Sequence, residues 1–388
     1  MQINRRNWLR ASMLSGISLA AAPAALCEPW LDEPNGQPLR LDPRKDDPRK
    51  GVLKARLSAN ENPYGPSPKA LKVITEAAPD GYLYAMEYAR QFRKLVAETE
   101  GVPEDHVLLG AGSGELLTAT AFWAAYRPNA GRTIVAPDPT FDALPRSAMR
   151  HGITMDRVPL VAADGYDINL NKLAERVGSQ TGMVYLCNPN NPTAITVDPA
   201  KLRAFCEAVG AKTPILVDEA YIDYTPDPKA YSMVDLVRKG ANVIVTKTFS
   251  KVHGFAGLRT GYMIAKPELL EQISKFATGG SSMSMTTLRA AIVSLQDTDF
   301  IKYSLGKTQE SKDFLAGVLK QHNYEPLPSG ANFVMFPIRM KGDDFVARMM
   351  EQGVSIRQWK FDGQFWCRVS LGTMPQMQAF ADGLKIIS

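Results

Sequence analysis

Five short runs of β-branched and aliphatic residues recur along this chain: TIVAP (133–137), GMVYLC (182–187), PILVD (214–218), NVIVT (242–246) and GYMIA (261–265). Runs that stay apolar without alternating to polar residues describe strands covered on both faces. Helical patterns at 114–126, 199–210 and 230–239 fall among them. Together they predict an α/β fold, a mostly parallel central sheet with helices on both faces. Such sheets bind ligands outside the carboxyl ends of their strands.

The residues at those ends are unusual. TIVAP runs into DPTF and Phe141, and GMVYLC into NPNNPT with Asn191. PILV runs into DEAY with Asp218 and Tyr221, and NVIVT into KTFSK with Lys251. Polar and aromatic residues at one strand end arise by chance, but four decorated ends point to one shared crevice. A fifth element, LLGAGSGELLTATAFWAAY (108–126), passes from a strand through a Gly/Ser turn into a helix. Gly112, Ser113, Gly114 and Glu115 thus stand at a helix N-terminus, where free N–H groups hold phosphate and glycine lets the backbone come close. Arg259, with Thr248 or Ser250, would add charged and hydroxyl contacts to the same phosphate.

Lys251 carries the sharpest question, because an ammonium is strongly hydrated and normally lies on the surface. A lysine after an apolar strand, among hydroxyls and small residues, is explained if it serves as a reactive amine.

With 388 residues, 45% of them apolar, the chain can bury a large core and form two or three domains. The net charge is +5, and removing Arg5, Arg6 and Arg10 leaves +2, with acids and bases interspersed. That balance gives nucleic acid no basic surface to bind. No long uncharged apolar stretch in the mature chain predicts a membrane span. Cys187, Cys206 and Cys367 form no metal-pair spacing and read as small buried hydrophobes, and the four histidines are dispersed, so no metal site is expected.

The first 26 residues, MQINRRNWLRASMLSGISLAAAPAAL, hold three arginines and no acid before a modestly apolar, Ala-rich run. This is the layout of an export signal, and NRRNWLR resembles a twin-arginine signal, which predicts a periplasmic protein exported in folded form. Bulky Leu26 argues against lipid attachment at Cys27. Residues 27–50, rich in Pro and charge, read as a linker or arm.

Seven segments, in order, resemble a known family: SANENPYGPSP (58–68), GAGSGE (110–115), CNPNNPT (187–193), VDEAYIDY (217–224), TFSKVHGFAGLRTGY (248–262), PSGANFVMF (328–336) and RVSLGT (368–373). They look like the motifs of the histidinol-phosphate aminotransferase branch of the fold-type I, pyridoxal-phosphate-dependent aminotransferases of classes I and II. The resemblance implies a large cofactor domain over 83–275 and a smaller α+β domain built from 51–82 and 276–388. It also implies Lys251 as the Schiff-base lysine, Asp218 under the pyridine nitrogen, Tyr221 and Asn191 on the ring's phenolic oxygen, and Phe141 on the ring face. Arg368 would grip the substrate carboxylate and so favour breaking the Cα–H bond over loss of CO₂. Tyr64 would lie on the substrate side. Tyr84, or Tyr82 or Tyr88 in its place, would reach the cofactor phosphate of a partner subunit in a homodimer.

The expected activity is transfer of an amino group between an amino acid, or an amino-acid-like metabolite, and a 2-oxo acid. Alternatives are a decarboxylase, lyase or racemase on the same scaffold, a histidinol-phosphate aminotransferase, or a binding protein descended from an enzyme. Two departures point away from histidinol phosphate: FATGGSSMSMTTLRAA (276–291) lacks the family's proline-aromatic-asparagine segment, and Gly114 stands where an aspartate is usual. An export leader is also out of place on an enzyme of histidine biosynthesis.

Overall fold

A seven-stranded sheet organises the computed structural model, which describes residues 53–387. The leader, the arm and Cys27 lie outside these residues. Across the sheet the strands are Val107–Gly110, Gly261–Ile264, Val243–Thr248, Ile215–Asp218, Thr181–Cys187, Thr133–Asp138 and Thr154–Pro159. Six share one direction, and Gly261–Ile264 runs antiparallel to both its neighbours.

The apolar runs are continuous because both faces are covered. Val184 and Leu186, Ile215 and Val217, and Val243 and Val245 enter one apolar cluster, while Met183, Tyr185, Leu216 and Ile244 enter another on the opposite face. Successive side chains alternate sides, so a strand between two helix layers has no position to spare for a polar residue. The flanking helices start on local chemistry. Asp198 accepts the N–H groups of Ala200 and Lys201, and Pro199 opens the helix Pro199–Gly210, a cap that contributes about 1 kcal/mol.

The segment expected as one helix over 230–239 is two, Pro228–Tyr231 and Val234–Arg238. The buried carboxylate of Glu219 explains the break: it accepts the Ser232 hydroxyl at 2.7 Å and the Met233 N–H at 2.6 Å, which starts a new helix there.

A smaller antiparallel sheet orders Arg357–Phe361, Gln364–Ser370 and Phe333–Ile338. Its far face joins a third apolar cluster that draws Ala55 and Leu57 from one end of the described chain and Phe380, Leu384 and Ile387 from the other. Period-2 alternation sends Cys367 and Val369 into that cluster and turns Trp366, Arg368 and Ser370 to the opposite face. Cys187, Cys206 and Cys367 are free and buried.

Candidate active site

The strand Ile215–Asp218 ends on Asp218, whose side chain is 1% exposed. One carboxylate oxygen accepts the Thr246 hydroxyl at 2.9 Å, and the other, Oδ2, has no partner. Burial raises its pKa to about 6, against the pull of the Thr246 hydrogen bond and the Lys251 charge. A buried carboxylate oxygen left unsatisfied is costly, so a donor that meets it in the working protein is required.

Lys251 follows the next strand. Its Nζ donates to the Asn60 carbonyl at 3.1 Å and lies 5.2 Å from the centre of the Tyr221 ring. Burial lowers its pKa to about 8, Arg368 adds to the effect, and Glu61 and Asp218 oppose it. A lysine in this range spends an appreciable fraction of time as the free, nucleophilic amine near neutral pH.

Tyr221 is buried, and its hydroxyl oxygen accepts amide N–H groups from Asn60 at 3.1 Å and Asn191 at 3.2 Å. A phenolic oxygen has two acceptor sites and one hydrogen, so the O–H remains to donate to a ligand. The Asn191 carbonyl accepts from Arg368 Nη1 at 2.6 Å, which joins the tyrosine to the arginine. Arg368 is 3% exposed; its Nη2 donates to the Ser58 carbonyl at 2.8 Å, and its Nε is unpartnered. Burial lowers its pKa to about 10. Among the described residues it pairs with no carboxylate, so an anion arriving here meets a desolvated cation.

The phosphate-holding group assembles at the other end of the site. Gly112, at φ +83°, precedes the helix Ser113–Tyr126, and a Cβ on it would collide with the Arg259 guanidinium. Arg259 Nη1 donates to Ser250 Oγ at 3.2 Å, and the Thr248 hydroxyl donates to the same oxygen at 3.0 Å. Glycine is therefore required at 112 so that the guanidinium can lie against the helix N-terminus. Gly114 is in the first turn beside it.

Glu115 braces the turn at this end. Its Oε2 accepts the Ala111 N–H at 2.6 Å, while Oε1 accepts the Thr278 N–H and hydroxyl and the Gly279 N–H. The carboxylate is saturated in tying the Gly/Ser turn to the 278–279 loop, which fixes the turn.

Phe141 is 37% exposed and lines a cavity of about 820 Å³ together with Asn191, Arg368, Trp359 and Phe361. Tyr64 packs edge-on to Tyr303 with ring centres 5.6 Å apart. Tyr88 lies beneath the Arg289 guanidinium at 5.5 Å, whereas Tyr84 and Tyr82 are 92% and 83% exposed.

The structure thus brings together Asp218, Tyr221, Asn191, Lys251 and Arg368, and separately Gly112, Ser113, Thr248, Ser250 and Arg259. Four residues within the strand and motif segments of the sequence, none of them expected as a site residue, complete the group: Asn60, Thr246, Asn332 and Ser370. Asn332 donates to the Asn60 carbonyl at 3.1 Å, and its own carbonyl oxygen has no partner. Ser370 Oγ donates to Asn60 Oδ1 at 2.9 Å and accepts the Asn60 N–H at 2.8 Å. These features fit pyridoxal phosphate: an unpaired buried carboxylate for a ring N–H, a free phenolic hydrogen for a ring oxygen, a buried low-pKa amine for an aldehyde, and an arginine at a helix N-terminus for phosphate.

Comparison with known proteins agrees. Residues 53–384 match the family model described as aminotransferase class I and II. A histidinol-phosphate aminotransferase of Moorella thermoacetica is 32% identical over 340 residues, covering 87% of this chain and 86% of that protein. An aromatic amino acid aminotransferase of Thermobifida fusca is also 32% identical, over 330 residues, covering 84% and 88%. The crystal structure of a histidinol-phosphate aminotransferase from Sinorhizobium meliloti in complex with pyridoxal-5′-phosphate superimposes with a TM-score of 0.78 at 26% identity, covering 88% of this chain and 94% of that one.

Proposed function

We propose, from the premise that this chain belongs to the class I and II aminotransferases and is a pyridoxal 5′-phosphate-dependent transaminase, that its substrates are a carboxylate-bearing amino acid and a 2-oxo acid. The observation that carries the substrate class is Arg368, buried at 3% exposure with no carboxylate among the described residues to pair with. Most of the relatives are named for histidinol phosphate, but one named for aromatic amino acids matches at the same 32% identity as the Moorella enzyme, so identity alone does not choose the amino acid.

The cofactor, when bound, supplies an aldehyde and an electron-withdrawing ring. The Ser113 and Gly114 N–H groups, Ser250, Thr248 and Arg259 would hold its phosphate. Asp218 Oδ2 would accept the ring N–H and keep that proton in place. Tyr221 would donate its O–H to the ring oxygen, with Asn191 beside it, and Phe141 would cover a ring face. Arg368 would orient the substrate by its carboxylate, setting the Cα–H bond for removal of the proton. Lys251 Nζ would take that proton and return it at the carbon that receives the amino group. Incubating the holoenzyme with amino acids and following the cofactor absorbance tests the reading. Conversion to the aminated cofactor is expected, and release of CO₂ or racemised amino acid without aminated cofactor overturns it.

Two further parts of the proposal concern the chain's surroundings. Tyr84, 92% exposed, reaches a partner subunit's phosphate group in a homodimer. The enzyme is periplasmic in this reading, exported already folded by the twin-arginine route, which the three arginines and the Ala-rich run in residues 1–26 support. No described helix is long and apolar enough to cross a membrane.

A further inference from the structure

We propose that Trp359 is a positioning residue that fixes the plane of the Arg368 guanidinium for its grip on the substrate carboxylate. The inference rests on the assignment of Arg368 to that carboxylate. It concerns a residue outside all the sequence segments that resemble the family.

The guanidinium carbon of Arg368 lies 4.7 Å from the centre of the Trp359 ring and 5.2 Å from that of Phe333. The cation is thus flanked by two aromatic rings. Of its five N–H donors, Nη1 donates one to Asn191 and Nη2 one to Ser58, and Nε has no partner. Two neutral acceptors pin one edge of the group but leave its tilt loosely set, since no carboxylate among the described residues holds it bidentately. The aromatic faces supply the missing restraint, and indole is the ring that attracts a cation most strongly.

Strand register explains how Trp359 reaches this position. On the paired strands Trp359 stands opposite Trp366, and Arg357 opposite Arg368, so Trp359 lies diagonal to Arg368 on one face of the hairpin. Trp366 is held in turn by stacking on Phe361 at 5.1 Å and by the edge of Tyr166 at 4.8 Å. The turn at Asp362 is tied down by its carboxylate, which accepts the Ala162 N–H at 2.8 Å. The hairpin carrying Trp359 is therefore anchored at its tip, and the indole is not free to swing away from the guanidinium.

The two flanking rings differ in duty. Phe333 is fully buried and packs against Tyr221 with ring centres 5.0 Å apart, so it belongs to the core. Trp359 is half-buried and lines the substrate cavity. Its loss frees the guanidinium to tilt without opening the core, and the effect falls on ligands that bring a carboxylate.

Trp359→Leu and Trp359→Phe holoenzymes test this. With an amino acid donor, KM in Trp359→Leu rises about tenfold while kcat changes less than about threefold, and Trp359→Phe recovers most of the loss. With the corresponding primary amine, which lacks the carboxylate, all three enzymes behave alike. A readout independent of turnover is the calorimetric affinity of each holoenzyme for hexanoate, expected to weaken about tenfold in Trp359→Leu and to return in Trp359→Phe. Equal losses with amine and amino acid, or unchanged hexanoate affinity in Trp359→Leu, overturn the proposal and leave the indole a packing role. Wild-type hexanoate affinity in Arg368→Lys overturns the assignment of Arg368 itself, and the proposal with it.

Discussion

The Asn60 side-chain amide donates to the Tyr221 hydroxyl at 3.1 Å across 161 residues of sequence. The same residue accepts Lys251 on its carbonyl and exchanges hydrogen bonds with Ser370, at a backbone φ of +55°. Asparagine tolerates that left-handed backbone better than most residues, and its amide has both the donor and the acceptor the site uses. Asn60→Ala leaves Ser370 without its acceptor and Tyr221 with one amide instead of two. It is expected to cost about 1–3 kcal/mol of stability and to lower kcat by about ten- to a hundredfold. Thermal unfolding and steady-state kinetics of Asn60→Ala, Ser370→Ala and the double variant check this. Fully additive losses would show that the two residues do not act as one unit.

Asp218 makes a prediction about pH. Its pKa rises from 3.8 in the unfolded chain to about 6 in the fold, so between these values the folded state binds more protons than the unfolded one. Stability therefore falls as pH rises through this window, and above about pH 6 the ionised carboxylate costs about 3 kcal/mol. In cofactor-free protein, Asp218→Asn is expected to raise the unfolding temperature at pH 8 and to give no gain at pH 4, while transamination by the reconstituted enzyme is lost. A variant less stable than wild type at pH 8 contradicts this account of the unpaired oxygen.

The lowered pKa of Lys251, about 8 against 10.5, sets how the cofactor is captured. Only the free amine attacks an aldehyde, so the reconstitution rate of cofactor-free protein should climb from pH 6 and level off near pH 8. Stopped-flow absorbance reads this directly. A rate still rising tenfold per pH unit between 8 and 10 indicates an ordinary exposed lysine. Lys251→Ala should lower transamination by at least about a thousandfold.

Exposed Tyr84 predicts complementation between subunits. Lys251→Ala and Tyr84→Ala homodimers are each impaired, the second chiefly at limiting cofactor. Mixed after mild dissociation, they form hybrids with one intact site, and activity rises above the mean of the two. No rise, with subunit exchange confirmed by mass, assigns Tyr84 to its own chain or to no site.

Export is tested by Arg5 and Arg6. If the proposed twin-arginine route carries the enzyme, replacing both with lysine should retain active, cofactor-loaded enzyme in the cytosol. Fractionation that still finds the enzyme in the periplasm removes that route.

Legibility in the sequence followed position. The strands Thr181–Cys187 and Ile215–Asp218 were visible because burial on both faces leaves their whole length apolar. Asp218 and Lys251 were visible because a charge at the end of such a run is out of place. Thr246 was hidden, since a threonine within a strand looks like any β-branched residue, and its hydroxyl matters only because Asp218 lies one strand over. Asn60 and Asn332 lay inside quoted motifs, but their duty is to accept and donate across the fold. The duty of the Glu115 carboxylate was hidden in the same way: it sits beside a phosphate-type turn, and its partners at Thr278 and Gly279 are 163 and 164 residues away. The split of 230–239 depended likewise on Glu219, a buried carboxylate from another element.

The pairing of Asn60 with Ser370, separated by 310 residues, also orders events during biosynthesis. When Lys251 leaves the ribosome, the serine that steadies Asn60 beneath it has not yet been made. A nascent chain can build the central sheet but not a finished pocket, so tight cofactor retention should begin only after synthesis is nearly complete. Vitamin supply would then act on released protein rather than on translation, and truncation anywhere before position 370 should yield a chain that folds in part and stays colourless.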